Sequence, residues 1–162
     1  MAARSGRPER AVELVGKHCR GVEREYEVSN WLSTVRSHCG EYAALNAAGQ
    51  VADFGGMLRL GAAQFLKGHM GRPEAARVLF EAAADDGGLK RDYRRRALQN
   101  LMNMARTGGE RTAIARRMVA LGGNYWERGG ALSSLARCLA LQGLIADGAE
   151  VVRQADKVRR KH

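Results

Sequence analysis

Glycine placement constrains this chain more than any other feature of its sequence. Apolar residues recur at helical spacing in short stretches, and glycines cut those stretches at regular intervals. Inner turns fall at Gly40, Gly71, Gly109 and Gly143, separated by 31, 38 and 34 residues. Closing pairs begin at Gly55, Gly87 and Gly122, separated by 32 and 35 residues, and each follows its inner turn by 13 to 16. A helix stopped by glycine and restarted a few residues later must run back along its predecessor. Such a two-helix unit cannot cover its own apolar faces, so it requires neighbours built the same way. A period in the mid-thirties is that of helix-turn-helix repeats. The expectation is an all-α protein, an α-solenoid of about three to four stacked antiparallel helical hairpins. It would form a single domain over residues 1–162, with residues 1–7 as a flexible basic N-terminus.

Residues 57–92 give the clearest unit. Leu58, Ala62, Phe65 and Leu66 form one apolar stripe before Gly71, and Ala76, Leu79 and Ala83 form another after it. Pro73 suits the first turn of a helix, where its fixed φ and missing N–H cost nothing, and Gly87-Gly88 suits its end. Elsewhere Ala11, Val12, Val15 and Cys19 share a helical face, weakened by Gly16 and Gly21. Tyr26, Trp31, Leu32 and Val35 mark a helix over 22–38, with Ser29 and Asn30 as a cap or break. Further helices are expected over 42–54, 93–106, 113–121 and 125–142, with Gly108-Gly109 turning the chain between the second and third. A last helix, lined by Leu144, Val151, Ala155 and Val158, ends in the basic run KVRRKH, which complements a helix C-terminus. Trp31, Tyr125 and Trp126 lie near unit boundaries and are expected in the core, with contact anchors as the alternative.

Composition agrees with helices. Aromatic residues are 6% of a chain that is 45% hydrophobic, and the apolar content is mostly Ala and Leu, which lose little entropy in a helix. Cys19, Cys39 and Cys138 are an odd number without C-x-x-C spacing, as in a compartment where disulfides are not used. No apolar run is long enough to span a membrane, so no membrane insertion is expected. The opening MAARSGRPER is arginine-rich and acid-poor, in the manner of an organellar presequence or a basic tail.

Motifs for chemistry are lacking. His18-Cys19 and His38-Cys39 repeat a dipeptide, but adjacent helical residues point about 100° apart and do not converge on one ion. Asp53-Phe54-Gly55 has none of the loops that accompany it in a kinase, and Gly56 to Gly61 lacks the Lys-Ser/Thr of a phosphate loop. The expectation is therefore no enzyme, no cofactor, no metal and no small-molecule substrate.

The stretch GRPEAARVLF at 71–80, followed by DDGGLKRD at 85–92, resembles the second half of a pentatricopeptide repeat, where a Gly-Arg-x-Glu-Ala turn and helix leads through Leu-Phe to glycine and Asp. Weaker echoes are GGERTAIARRMVAL at 108–121 and GLIADGAEVVRQA at 143–155. The helices LQNLMNMARTGG and LSSLARCLALQG also resemble octotricopeptide repeats. Tetratricopeptide anchors do not recur. The resemblance implies an organellar RNA binder, reading bases through a residue near each first helix's start and another at the repeat's end. Asp92 suits the second position, but the first falls on Arg95 and near Gly130, which is a degenerate code. The chain is similar in size, helix content and repeat quality to a pentatricopeptide-like accessory subunit on the catalytic head of euglenozoan mitochondrial ATP synthase.

A formal charge of +10 leaves the choice of partner to the arginines. Lys90, Arg91, Arg94, Arg95 and Arg96 form the strongest basic cluster. Arg91, Arg94 and Arg95 are expected on a helix face opposite Leu98 and Leu101, extended by Arg106, Arg116 and Arg117. Clustered arginines suit acidic protein surfaces and phosphates alike. The expected function is a non-catalytic helical-repeat accessory or scaffold subunit that binds partner protein within a large mitochondrial assembly, in the matrix. The ATP synthase head is the most specific expectation, and the alternative is an RNA-binding pentatricopeptide-like or mitoribosomal protein.

Overall fold

The computed structural model describes Val12 and residues 25–160. The expectations for residues 1–7, His18 and Cys19 lie outside the described residues, as does all of the first helical stretch except Val12, which is helical and buried. The described residues are all-α, with no strand among them. The helices are α1 (Glu25–Asp53), α2 (Gly56–Gly68), α3 (Pro73–Asp85), α4 (Arg91–Met104), α5 (Gly108–Ala120), α6 (Tyr125–Leu141) and α7 (Ile145–Arg160). They group into two compact units, the first reaching Ala97 and the second starting at Leu98, so α4 contributes to both.

In the first unit α1 packs on α2, and α2 on α3. Gly40 interrupts α1 with φ 86° and ψ 172°, a left-handed conformation that favours glycine, and divides it into segments 25–39 and 41–53. Leu32, Val35, Val51, Leu60, Phe65 and Phe80 are fully enclosed. No break occurs at Ser29 and Asn30. Ser29 is buried within the continuous helix. Farther along, the Thr34 and Ser37 hydroxyls donate to the carbonyls of Asn30 and Ser33 at 3.1 and 3.0 Å, which lets polar side chains sit in a helix interior.

Arginine secures the helix ends of this unit. Arg36 Nη1 donates to the carbonyl of His69 at the end of α2 (2.6 Å), and Arg59 Nε to that of Ala52 in the last turn of α1 (3.2 Å). Arg94 Nε donates to the Ala84 carbonyl in the last turn of α3 (2.9 Å). Carbonyls at a helix C-terminus have no intrahelical partner and carry the negative end of the helix dipole, so a guanidinium satisfies both needs. Asp86 joins two loops. Its Oδ2 accepts from the Gly56 N–H at 3.2 Å and its Oδ1 from the Gly88 N–H at 2.9 Å.

In the second unit α5 packs on α6, and α6 on α7. Ala115, Leu135, Cys138 and Leu139 form a core on which Met102, Val119 and Val151 close. Here the expected turn at Gly108-Gly109 is corrected. Both glycines belong to the first turn of α5, which starts earlier than expected, and residues 105–107 make the turn. Thr107 is the cap: its Oγ1 accepts from the Glu110 N–H at 3.1 Å, while the Glu110 carboxylate accepts from the Arg106 N–H at 2.7 Å. Satisfying these otherwise orphaned donors outweighs the poor helix propensity of glycine.

Asn124 and Glu127 cap α6 reciprocally, at 2.9 and 2.8 Å. Gln142 Nε2 lies against the carbonyls of Gly108 and Cys138 and the Thr112 hydroxyl, tying the end of α6 to the start of α5. Gly148 lets α7 approach α6 closely, since a Cβ there would lie 3.2 Å from the Ala136 carbonyl oxygen.

Candidate basic cleft

The arginine face expected around residues 91–96 is not an open one. At 100° per residue Arg94 falls within about 40° of Leu98 and Leu101 rather than opposite them. Its side chain is half-buried and holds the end of α3. Arg95 is half-buried as well, and the Arg96 guanidinium lies 5.5 Å from the Tyr93 ring centroid. Lys90 and Arg91 are exposed. In the second unit Arg106 and Arg116 are exposed and Arg117 is half-buried. Lys90, Arg91, Arg95, Arg96, Arg106 and Arg117 each already carry a polar, ring or electrostatic interaction within the molecule. Much of the sequence cluster is therefore engaged internally.

Of the three aromatic residues expected in the core, Trp126 is the one the structure places outside it. Trp31 and Tyr125 are half-buried, but Trp126 is 70% exposed. Consecutive helical positions differ by about 100°, so Tyr125 turning toward the interior leaves Trp126 outside. Its ring leans on Tyr125 at 4.7 Å between centroids.

Within the second unit a cleft of about 420 Å³ opens between α4, α5 and α6. Arg111 of α5 and Arg137 of α6 line it, and both are exposed. Neither guanidinium makes a hydrogen bond or ion pair among the described residues. Gln99 and Asn103, one turn apart on α4, add amides, with Gln99 Nε2 donating to Asn103 Oδ1 at 3.4 Å. Met102, Met118 and Cys138 are apolar lining, and Leu141 lies at the same cleft with 72% of its surface exposed.

Arg111 and Arg137 were not singled out by the sequence, because each stands apart from the basic cluster. The available signal is register. Met118 lies seven residues after Arg111, and Leu141 four after Arg137, which puts each pair on one helix face. Which faces converge depends on how the helices pack.

Of the groups considered for metal or catalysis, His18 and Cys19 lie outside the described residues. Among the described residues no cluster of three or more His, Cys, Asp and Glu could hold a metal ion. His38 is exposed and donates through Nδ1 to the Thr34 carbonyl at 2.9 Å. Asp53-Phe54-Gly55 forms the joint after α1, with the Gly55 N–H donating to the Ala52 carbonyl at 3.0 Å. No helix among the described residues is long and apolar enough to cross a membrane. Comparison with known proteins finds no family model, no curated protein and no solved structure that matches this chain.

Proposed function

We propose that this chain is a non-catalytic helical-repeat subunit that docks on an acidic protein partner. The observation that carries the reading is the pair of exposed guanidiniums, Arg111 and Arg137, that share a cleft of mixed polar and apolar lining and have no hydrogen-bond or ion-pair partner among the described residues. Their surroundings reinforce it. Residues 98–160 hold ten basic side chains against five acidic ones, so the field near the cleft attracts negative surfaces. Stacked hairpins provide extended contact area without needing a deep active-site pocket. The finer part of the proposal is an accessory subunit of a large mitochondrial assembly, with the catalytic head of ATP synthase as the specific candidate. That part rests on the resemblance of residues 71–92 to a pentatricopeptide repeat and on basicity.

Affinity purification from the native source, with mass spectrometry of what accompanies the chain, tests the reading. One soluble acidic complex, recovered free of nucleic acid, is the expected result. Submicromolar binding to single-stranded RNA with steep salt dependence, and no protein complex, would replace protein docking by RNA binding.

A further inference from the structure

We infer that the cleft between α4, α5 and α6 receives an acidic peptide segment bearing one aliphatic side chain, with carboxylates on Arg111 and Arg137. The inference deepens the docking reading and depends on it. Charge complementarity selects the occupant. Two guanidiniums from different helices, exposed and without hydrogen-bond or ion-pair partners among the described residues, line one opening and favour bidentate carboxylate contacts. Met102 and Met118 in the lining make an adaptable apolar surface for a leucine-sized group. The cleft, about 420 Å³, has the size of a pocket for a small number of side chains.

Gln99 and Asn103 supply the remaining recognition. Their mutual hydrogen bond is 3.4 Å long, beyond the usual range, so exchanging it for peptide N–H and C=O groups costs little. No aromatic residue lines the cleft. Single-stranded nucleic acid is normally held by stacking on aromatic rings, so a peptide fits this lining better than a base.

The test uses the full chain and a dye-labelled twelve-residue peptide with a central leucine flanked by glutamates, followed by fluorescence anisotropy at physiological salt. The Arg111→Gln/Arg137→Gln double variant alters two exposed side chains, and its circular dichroism is checked against the parent. It is expected to weaken binding by about 100-fold, as loss of two charge-assisted contacts implies. Leu141→Asp, or serine in place of the peptide leucine, should weaken it by about 10-fold. An Arg128→Gln/Arg160→Gln control removes the same charge from exposed positions outside the cleft and should stay within about 3-fold.

Equal losses in the control, indifference to the peptide leucine, or preferential binding of a single-stranded RNA dodecamer would each overturn the inference. Purification of tagged variants from the native source separates the two levels. A partner complex that still accompanies the Arg111→Gln/Arg137→Gln variant refutes the cleft but preserves the docking reading. No protein partner with the parent chain refutes docking itself.

Discussion

Gly148 and Gly130 are both helical glycines of the second unit, and replacing each with alanine should have unequal effects on stability. A glycine in a helix interior is about 1 kcal/mol less favourable than alanine, so the substitution alone stabilises by roughly that amount. At Gly130, in α6, an added Cβ meets nothing within 4 Å. The full gain of about 0.5 to 1 kcal/mol is expected there. At Gly148 the Cβ would sit 3.2 Å from the Ala136 carbonyl oxygen, 3.6 Å from the Ala140 nitrogen and 3.8 Å from Leu139 Cβ. The nearest of these is helical backbone, which yields less readily than a flexible side chain. Overpacking of this kind costs about 1 to 3 kcal/mol, which offsets or exceeds the propensity gain. Gly148→Ala should therefore be less stable than Gly130→Ala by about 1 to 3 kcal/mol. Urea denaturation followed by circular dichroism at the helical band measures the difference through the midpoint and slope. Equal stabilisation by both substitutions would refute the claim that α7 rests on the backbone of α6 at this glycine.

Phe80→Ala empties a fully buried position of the first unit and should cost about 3 to 5 kcal/mol, read as a lowered denaturation midpoint. Asn124→Ala removes the reciprocal cap of α6 and should cost about 1 kcal/mol, with Asn124→Ser retaining most of the stability in the same assay. The Glu150 carboxyl is held below its ordinary 4.5, first by the hydrogen bonds from Arg153, then by Gln154 and by the charge of Arg153. Its contribution is thus complete above the unfolded value and disappears as pH falls through the lowered folded one. NMR titration of Glu150 in Arg153→Gln should show that value returning toward 4.5.

Helix content and several helix ends were legible because they depend on neighbours in the chain. Pro73 begins α3 and Gly87-Gly88 follows its C-cap, Asp86, and both signals act through local backbone conformation. The misplaced turn at Gly108-Gly109 shows the limit of that local reading. The glycines weigh against a helix start, while Thr107 and Glu110 favour it by satisfying specific donors. Ser29 departs from the expected cap or break for a related reason, since a serine that often caps a helix is also tolerated inside one where the fold buries it.

For the cleft, the sequence pointed to a density of arginines and the structure to how each is used. Arg94 belongs to the densest basic run, but its guanidinium serves a helix end ten residues earlier in the chain. Arg111 and Arg137 lie 26 residues apart, with no local pattern linking them.

The residues alone determined that this chain makes short helices separated by glycine, because helical periodicity and chain reversal are properties of adjacent residues. Packing decided which basic side chains satisfy helix carbonyls and which face solvent at one cleft. The physical reason is that hydrogen-bond partners and burial depend on distances between helices, which a one-dimensional pattern does not contain.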